Sequence, residues 1–135
     1  MREEILKQFF DGEVGAALLS NDLVGSLITK GDSTSHPIED MSGSFEVQPS
    51  HLIRLCDAVL DGEIKPKYLQ AVGFCIVASD AFEYDTDRNE GNLVGETVLD
   101  WSAPMVHYPL TLQNIEKFRH RLATGENLFT ISDAS

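Results

Sequence analysis

The segment from residue 85 to 96 offers the most specific chemical pattern in this chain, because its polar side chains follow the spacing of a calcium-binding loop. Positions one, three, five and twelve of that pattern hold oxygen-bearing side chains, which are Asp85, Asp87, Asn89 and Glu96. The sharp turn at position six needs a glycine, but Glu90 stands there and Gly91 follows one residue late. We therefore interpret the segment as a solvated acidic loop, with weak calcium binding at 85–96 as the alternative.

A second short pattern, Gly31-Asp32-Ser33, is similar to the nucleophile block of Gly-Asp-Ser-Leu esterases. A nucleophilic serine needs a histidine base that a carboxylate orients. Thr34 stands where the motif has leucine, and no Asp-x-x-His follows in the chain, so a turn with local hydrogen bonds explains these residues better. We predict that the chain is not an enzyme.

The histidines and cysteines form no metal-binding or redox motif. The four histidines are scattered without helical i,i+4 spacing, at His36, His51, His107 and His120. The two cysteines, Cys56 and Cys75, lie inside apolar runs, which favours buried, reduced thiols over a disulfide. We expect no resident metal and no cofactor.

Charge is the strongest compositional feature, because 22 Asp and Glu residues against 10 Lys and Arg residues give a net charge of −12. Half of this excess falls in residues 80–100, where seven carboxylates are opposed by Arg88 alone. The other half falls in residues 1–47. This balance disfavours binding to nucleic acid or to an anionic membrane, since both need basic residues that neutralise phosphates.

The acidic segment also contains aromatic residues, which makes it a candidate surface for a cationic protein partner. Clustered carboxylates speed the encounter with such a partner, and aromatic side chains anchor it once water is expelled. The candidate partner-binding residues are Asp80, Glu83, Tyr84, Asp85, Asp87, Glu90, Glu96 and Asp100. The competing interpretation is an acidic surface that serves only solubility.

Hydrophobic periodicity predicts the elements that position these residues: a mainly α, single-domain helical bundle over 1–135 with one or two short strands. Helices are expected before Gly12, again from Val14, over 49–60, over 68–82, and from the Thr111 cap to Gly125. The sequence also predicts a brief extended segment at 45–47, a long polar loop at 30–44 and a frayed tail at 132–135.

Other local predictions depend on how the helices pack. Gly73 should permit the close approach of a neighbouring helix. Residues 93–101 fit either a helix or a strand, and residues 105–108 should cross in extended form between two prolines. The last helix should turn one apolar face inward, formed by Leu112, Ile115, Phe118 and Leu122. Its cations are expected elsewhere, at Lys117, Arg119, His120 and Arg121.

A family resemblance covers roughly the latter two thirds of the chain. The segments that carry it are 60–64 (LDGEI), 73–80 (GFCIVASD) running into 82–85 (FEYD), and 100–104 (DWSAP) followed by 108–111 (YPLT). Together they resemble the small acidic immunity proteins that bacteria pair with toxins of the colicin and contact-dependent growth inhibition type. The resemblance implies a protein that binds and neutralises a cognate basic toxin domain, nuclease-like, by placing carboxylates where substrate phosphates would lie.

Two other functional classes stay open. One is a small enzyme or ligand-binding domain with a pocket near the 30–44 loop, and the other is a helical protein-interaction module.

No run of eighteen apolar residues occurs, and the start Met1-Arg2-Glu3-Glu4 lacks the layout of a signal peptide, so we expect a cytoplasmic protein.

Overall fold

The computed structural model describes residues 1–24, 26, 28–30, 33–35 and 38–134. Its α-helices are α1 (Glu3–Phe10), α2 (Ala16–Leu23), α3 (Pro49–Leu60), α4 (Leu69–Ala78), α5 (Asn89–Ser102) and α6 (Leu112–Thr124). Its strands are β1 (Ile28–Lys30), β2 (Ser33–Ser35), β3 (Phe45–Glu46) and β4 (Phe82–Glu83), and short 3₁₀ turns cover Pro66–Tyr68 and Ile131–Ala134. The predicted mainly helical fold is confirmed, and side chains from α1 to α6 share one hydrophobic core. No helix in these described ranges is both long and apolar enough to cross a bilayer.

Two helix ends, after α1 and after α3, are built in the same way. Gly12 and Gly62 adopt positive φ angles of 77° and 82°, which glycine reaches without steric cost. In each corner the residue after glycine donates its backbone N–H to a carbonyl five positions earlier, that of Gln8 or that of Ala58. The helix ends expected at both glycines are confirmed.

Helices α4 and α5 pack at very short range around Gly73. A Cβ atom on Gly73 would lie 2.7 Å from the carbonyl oxygen of Val98 and 2.8 Å from the backbone nitrogen of Ser102, so only glycine fits there. The close approach expected at Gly73 is therefore confirmed. Residues 93–101, which fitted either structure, lie inside α5 and are helical.

Helix α4 ends at Ala78, four residues before the expected end at 82. Ser79 adopts an extended conformation, and its Oγ accepts hydrogen bonds from the N–H groups of Ala81 (2.9 Å) and Phe82 (3.3 Å). These bonds replace the next helical turn, because a serine hydroxyl competes with backbone carbonyls for nearby donors. The chain then enters β4, which pairs in parallel with β3.

The segment predicted as a polar loop at 30–44 is partly ordered. β1 and β2 form an antiparallel pair in which Lys30 lies opposite Ser33. Further along, Glu39 forms a parallel bridge with Arg2, and the Glu3 carboxylate accepts a hydrogen bond from the N–H of Met41 at 3.0 Å. Gly31 and Asp32 of the esterase-like pattern lie outside the described residues, as do His36 and Pro37.

Helix α6 begins at its predicted cap, because the Thr111 Oγ1 accepts a hydrogen bond from the N–H of Asn114 at 3.1 Å. Ile115 and its apolar neighbours on the same face are buried as expected, but two assignments were wrong. Leu112 is 54% exposed and Arg121 only 5% exposed. At about 100° per residue these two lie on opposite edges of the apolar face, and only the Arg121 edge packs against α5.

The chain on either side of α6 also departs from expectation. Residues 105–108 do not cross in extended form, because the N–H groups of Val106 and His107 both bond the carbonyl of Ala103 and close a turn. The tail expected to fray at 132–135 forms a 3₁₀ turn over Ile131–Ala134, and Ser135 lies outside the described residues. It is held there because the Asp133 carboxylate accepts from the Lys117 ammonium at 2.7 Å.

Candidate functional site

The β3–β4 pair places two identical Phe-Glu dipeptides side by side. Phe45 lies opposite Phe82, and Glu46 lies opposite Glu83. Because side chains alternate along a strand, the phenyl rings turn toward the core and meet edge to face at 6.1 Å, while both carboxylates are exposed. Neighbouring strands are about 4.8 Å apart, so two like charges are held close together on the surface.

A cluster of rings beneath this strand pair supports it. Phe10 stacks on Phe45 at 5.8 Å and on His51 at 5.1 Å. The His51 Nδ1 accepts the backbone N–H of Gln48 at 2.9 Å, which caps α3. Burial lowers the pKa of His51 below its usual value of 6.5, so the ring is neutral at neutral pH and can keep this bond.

An acidic cleft of about 400 Å³ opens beside the strands, between β3 and the turn that follows β4. It is lined by Glu46, Glu83, Tyr84, Asp85 and Arg88. The ion pair of Arg88 with Asp85, at 3.7 Å, is largely exposed and therefore weak. We define the acidic face as the exposed carboxylates Glu46, Glu83, Asp85, Asp87 and Glu90.

Two glycines of α5 hold the acidic turn against the helix. A Cβ atom on Gly91 would overlap the carbonyl group of Asp85, so the turn lies directly on the helix backbone. One turn later, a Cβ atom on Gly95 would lie 3.1 Å from the ring of Tyr84. The carboxylates of the turn are consequently presented on a fixed backbone rather than on a loose loop.

The structure brings together most of the residues expected to bind a partner. Glu83 and Asp85 line the cleft with the half-buried Tyr84, and Asp87 and Glu90 are exposed just beyond them in the chain. Asp80 is exposed in the turn before β4, and Glu96 is exposed farther along α5. Glu46 was missed, because its partner strand lies far away in the sequence. The repeated Phe-Glu dipeptide is the signal that could have identified it.

Asp100, also expected to contact a partner, lies inside the protein and is 7% exposed. Its carboxylate accepts from the Arg121 Nη2 at 2.8 Å, and its other oxygen lies 2.9 Å from the His107 Nδ1. The same Arg121 Nη2 also donates to the Thr97 hydroxyl at 3.2 Å. Both carboxylate oxygens are thus used within the fold, so Asp100 does not belong to the acidic face.

The calcium-loop pattern does not form a loop. Asn89, at its fifth position, begins α5, and the seven residues from there to Glu96 advance about 10 Å along a helix axis. Glu96 therefore cannot turn back toward Asp85 as the twelfth ligand of a calcium loop must. Across the part of the chain that the structure describes, no group of three or more His, Cys, Asp or Glu side chains could hold a metal ion.

The two cysteines are buried and free, as expected. Burial raises the pKa of Cys56 to about 12 and also raises the pKa of Cys75, whose Sγ lies 3.7 Å from the Glu3 Oε2. Thiols with such raised pKa values carry almost no thiolate, the nucleophilic form, at neutral pH.

A small cleft adjoins the end of the 30–44 segment at residues 39–40. It occupies about 220 Å³ between α1 and residues 39–40, below the usual range of about 300–1,000 Å³ for ligand pockets. Its lining is mostly charged: Arg2, Glu4, Ile5, Gln8, Glu39 and Asp40.

Comparison with known proteins adds no relative: no family model matches the chain, and neither a curated protein nor a solved structure matches it.

Proposed function

We propose that this protein binds and neutralises a basic protein domain through the acidic face, as the toxin-immunity proteins that it resembles do. The observation that carries the proposal is the side-by-side placement of Glu46 and Glu83 on the exposed side of the β3–β4 pair. Like charges held opposite each other destabilise a sheet, so this arrangement costs folding free energy. A cationic partner would remove that cost.

Electrostatic attraction gives the acidic face its first role. Five carboxylates opposed by Arg88 create a local negative potential, which raises the rate at which a basic domain finds the correct orientation. Fixed charges steer better than mobile ones, and the contact of Gly91 with the Asp85 backbone fixes the turn. Salt should slow association, because exposed charges are screened beyond about 10 Å at 0.1 M ionic strength.

Tyr84 supplies an anchor among these charges. Its ring is half-buried against Gly95, and it lines the acidic cleft beside Glu83 and Asp85. Tyrosines at the centre of an interface contribute strongly when surrounding groups exclude water. If the partner is a nuclease-like toxin, the carboxylates take the positions of substrate phosphates and the protein inhibits by occupying the site.

The test pairs this protein with the product of the adjacent gene, since an immunity gene lies beside its toxin gene. We expect co-expression to rescue cells from that product, and the association rate to fall at least about tenfold from 50 to 500 mM salt. The double variant Glu46→Gln/Glu83→Gln should reduce both the rate and its salt dependence.

The matched control is Glu63→Gln/Glu116→Gln, which removes two exposed carboxylates outside the acidic face. It should leave rescue and association rate nearly unchanged. Equal effects of the two double variants would contradict a specific role of the acidic face, because they would show that only the total surface charge matters. An association rate that does not depend on salt would overturn the proposal.

A further inference from the structure

A long groove runs beside the exposed side of α5, away from the acidic cleft. Its first part, about 860 Å³, lies between the N-terminal turns of α3 and α5 and the C-terminal turn of α6. Its second part, about 490 Å³, lies between the later half of α5, residues 106–108 and α6. Both parts are lined by Glu96, Arg121 and Asn127, so they adjoin, and we call the two together the α5–α6 groove.

The two ends of the α5–α6 groove differ in chemistry. Glu90 lines only the first part, near the start of α5, while Glu96 lines both parts. Leu99 and Val106 line the second part and are 49% and 80% exposed, a high exposure for aliphatic side chains. The second part therefore combines two exposed aliphatic side chains with the carboxylate of Glu96.

Arg121 does not reverse the charge of this groove. It is paired with the buried Asp100, so its charge is already compensated within the fold. Its buried Nε–H, however, has no hydrogen-bond acceptor among the residues that the structure describes. Such a buried donor costs free energy within the fold, but it is not a contact point for a bound chain, because the atom is not accessible from the groove.

The groove is also continuous with the acidic face. Gln48 lines its first part and donates from Nε2 to the Glu46 carboxylate at 2.8 Å. Glu90 belongs to both the groove and the acidic face. A partner held on the acidic face is thus placed beside the entrance to the groove.

We infer that the α5–α6 groove binds an extended segment of the basic partner, in which a Lys or Arg lies about four residues from an apolar side chain. The nine residues from Glu90 to Leu99 span about 13 Å of helix, which four residues of extended chain match at about 3.3 Å each. The basic side chain would pair with Glu90, with Glu96 adding to the negative potential along the groove, and the apolar one would lie between Leu99 and Val106. This inference rests on the proposed function for the identity of the partner.

The experiment titrates the ¹⁵N-labelled full chain with a synthetic hexapeptide of sequence Lys-Lys-Gly-Ser-Leu-Leu, and with the same residues in reverse order. We expect the backbone amide signals of Leu99, Val106 and Asn127 to shift in a saturable way with at least one peptide. The variants Leu99→Ser and Val106→Ser should each raise the Kd at least about fivefold, because each removes apolar contact area. Glu96→Gln should weaken binding in low salt only.

Matched controls use exposed residues that do not line the groove. Leu112→Ser and Glu116→Gln, both on α6, should leave the Kd unchanged. A peptide in which glutamate replaces both lysines should not shift the groove signals. Shifts confined to the acidic face would overturn the inference and indicate charge attraction alone. Shifts that depend on protein concentration in the absence of peptide would also overturn it, because they would show that a second copy of the chain occupies the groove.

The two proposals fail separately. If the groove signals do not move while Glu46→Gln/Glu83→Gln still slows association with the neighbouring gene product, the groove inference is wrong and the proposed function stands. If the peptide binds in the groove but the double variant has no effect on rescue, the acidic face is not the neutralising surface.

Discussion

Glu46 and Glu83 are opposite each other in the parallel β3–β4 pair, so two carboxylates from distant parts of the chain share one exposed edge. The phenylalanine that precedes each glutamate packs inward, and the two rings contact each other. Aromatic packing on the core side therefore stabilises the strand pair, while charge repulsion on the solvent side destabilises it. The two facing carboxylates therefore lower the free energy of unfolding.

The repulsion predicts that Glu46→Gln stabilises the protein. Glutamine keeps an acceptor for the Gln48 side chain and removes one of the two facing charges. We expect the free energy of unfolding in urea at low salt to rise by about 0.2–1 kcal/mol. The gain should shrink in high salt, and Glu116→Gln on α6 should show no comparable gain. A loss of stability at low salt would show that Glu46 is not under repulsion.

Gly91→Ala should displace the acidic turn, because a Cβ atom there overlaps the backbone of Asp85. We expect a loss of about 1–3 kcal/mol in the free energy of unfolding, as for other overpacked sites. Amide signals of residues 84–87 should shift more than those of α3. Gly15→Ala is the control, since its Cβ would meet nothing within 4 Å, and it should change stability by less than about 1 kcal/mol. Equal costs for the two variants would contradict the tight contact.

Asp100→Asn should be strongly destabilising, because it leaves the buried Arg121 guanidinium without its counter-charge. Breaking one side of a buried ion pair costs about 3–5 kcal/mol, measured by chemical unfolding. The double variant Asp100→Asn/Arg121→Met should recover part of this loss, since no unpaired charge remains. Lys7→Gln, which removes the exposed pair with Asp11, should cost no more than about 1 kcal/mol.

Stability should fall on acidification because of His51. Burial lowers its pKa in the folded state below the value of 6.5 that it has when unfolded, and Arg54 adds to the shift while Asp11 opposes it. Between these two pKa values the unfolded chain binds more protons, so the free energy of unfolding decreases as the pH falls below 6.5 and is unaffected by His51 above that value.

The matched variant for this pH dependence is His51→Gln. Glutamine at the third helical position can accept the Gln48 N–H as in a capping box, and it does not titrate. We expect unfolding measured between pH 7.5 and 5 to show a smaller decrease for the variant than for the natural chain. Identical pH dependence would show that His51 does not cause the decrease.

Much of the scaffold follows from local sequence. Pro49 begins α3, Thr111 caps α6, and Gly12 and Gly62 end their helices, because each signal acts through bonds within a few residues of itself. Helical periodicity over these segments likewise reflects the geometry of a single element. The exposed carboxylates from Glu83 to Glu90 could be located in the same way, since they fall within eight residues of the chain.

Tertiary structure alone decided the rest of the site. Glu46 joins Glu83 only because β3 pairs with β4, and no local pattern fixes which strands pair. In the sequence, Asp100 cannot be distinguished from the exposed acidic residues before it. It is buried because the edge of α6 that carries Arg121 packs against α5. Burial and pairing depend on contacts between residues far apart in the chain, so composition and spacing predict which side chains exist, while packing determines which of them meet solvent.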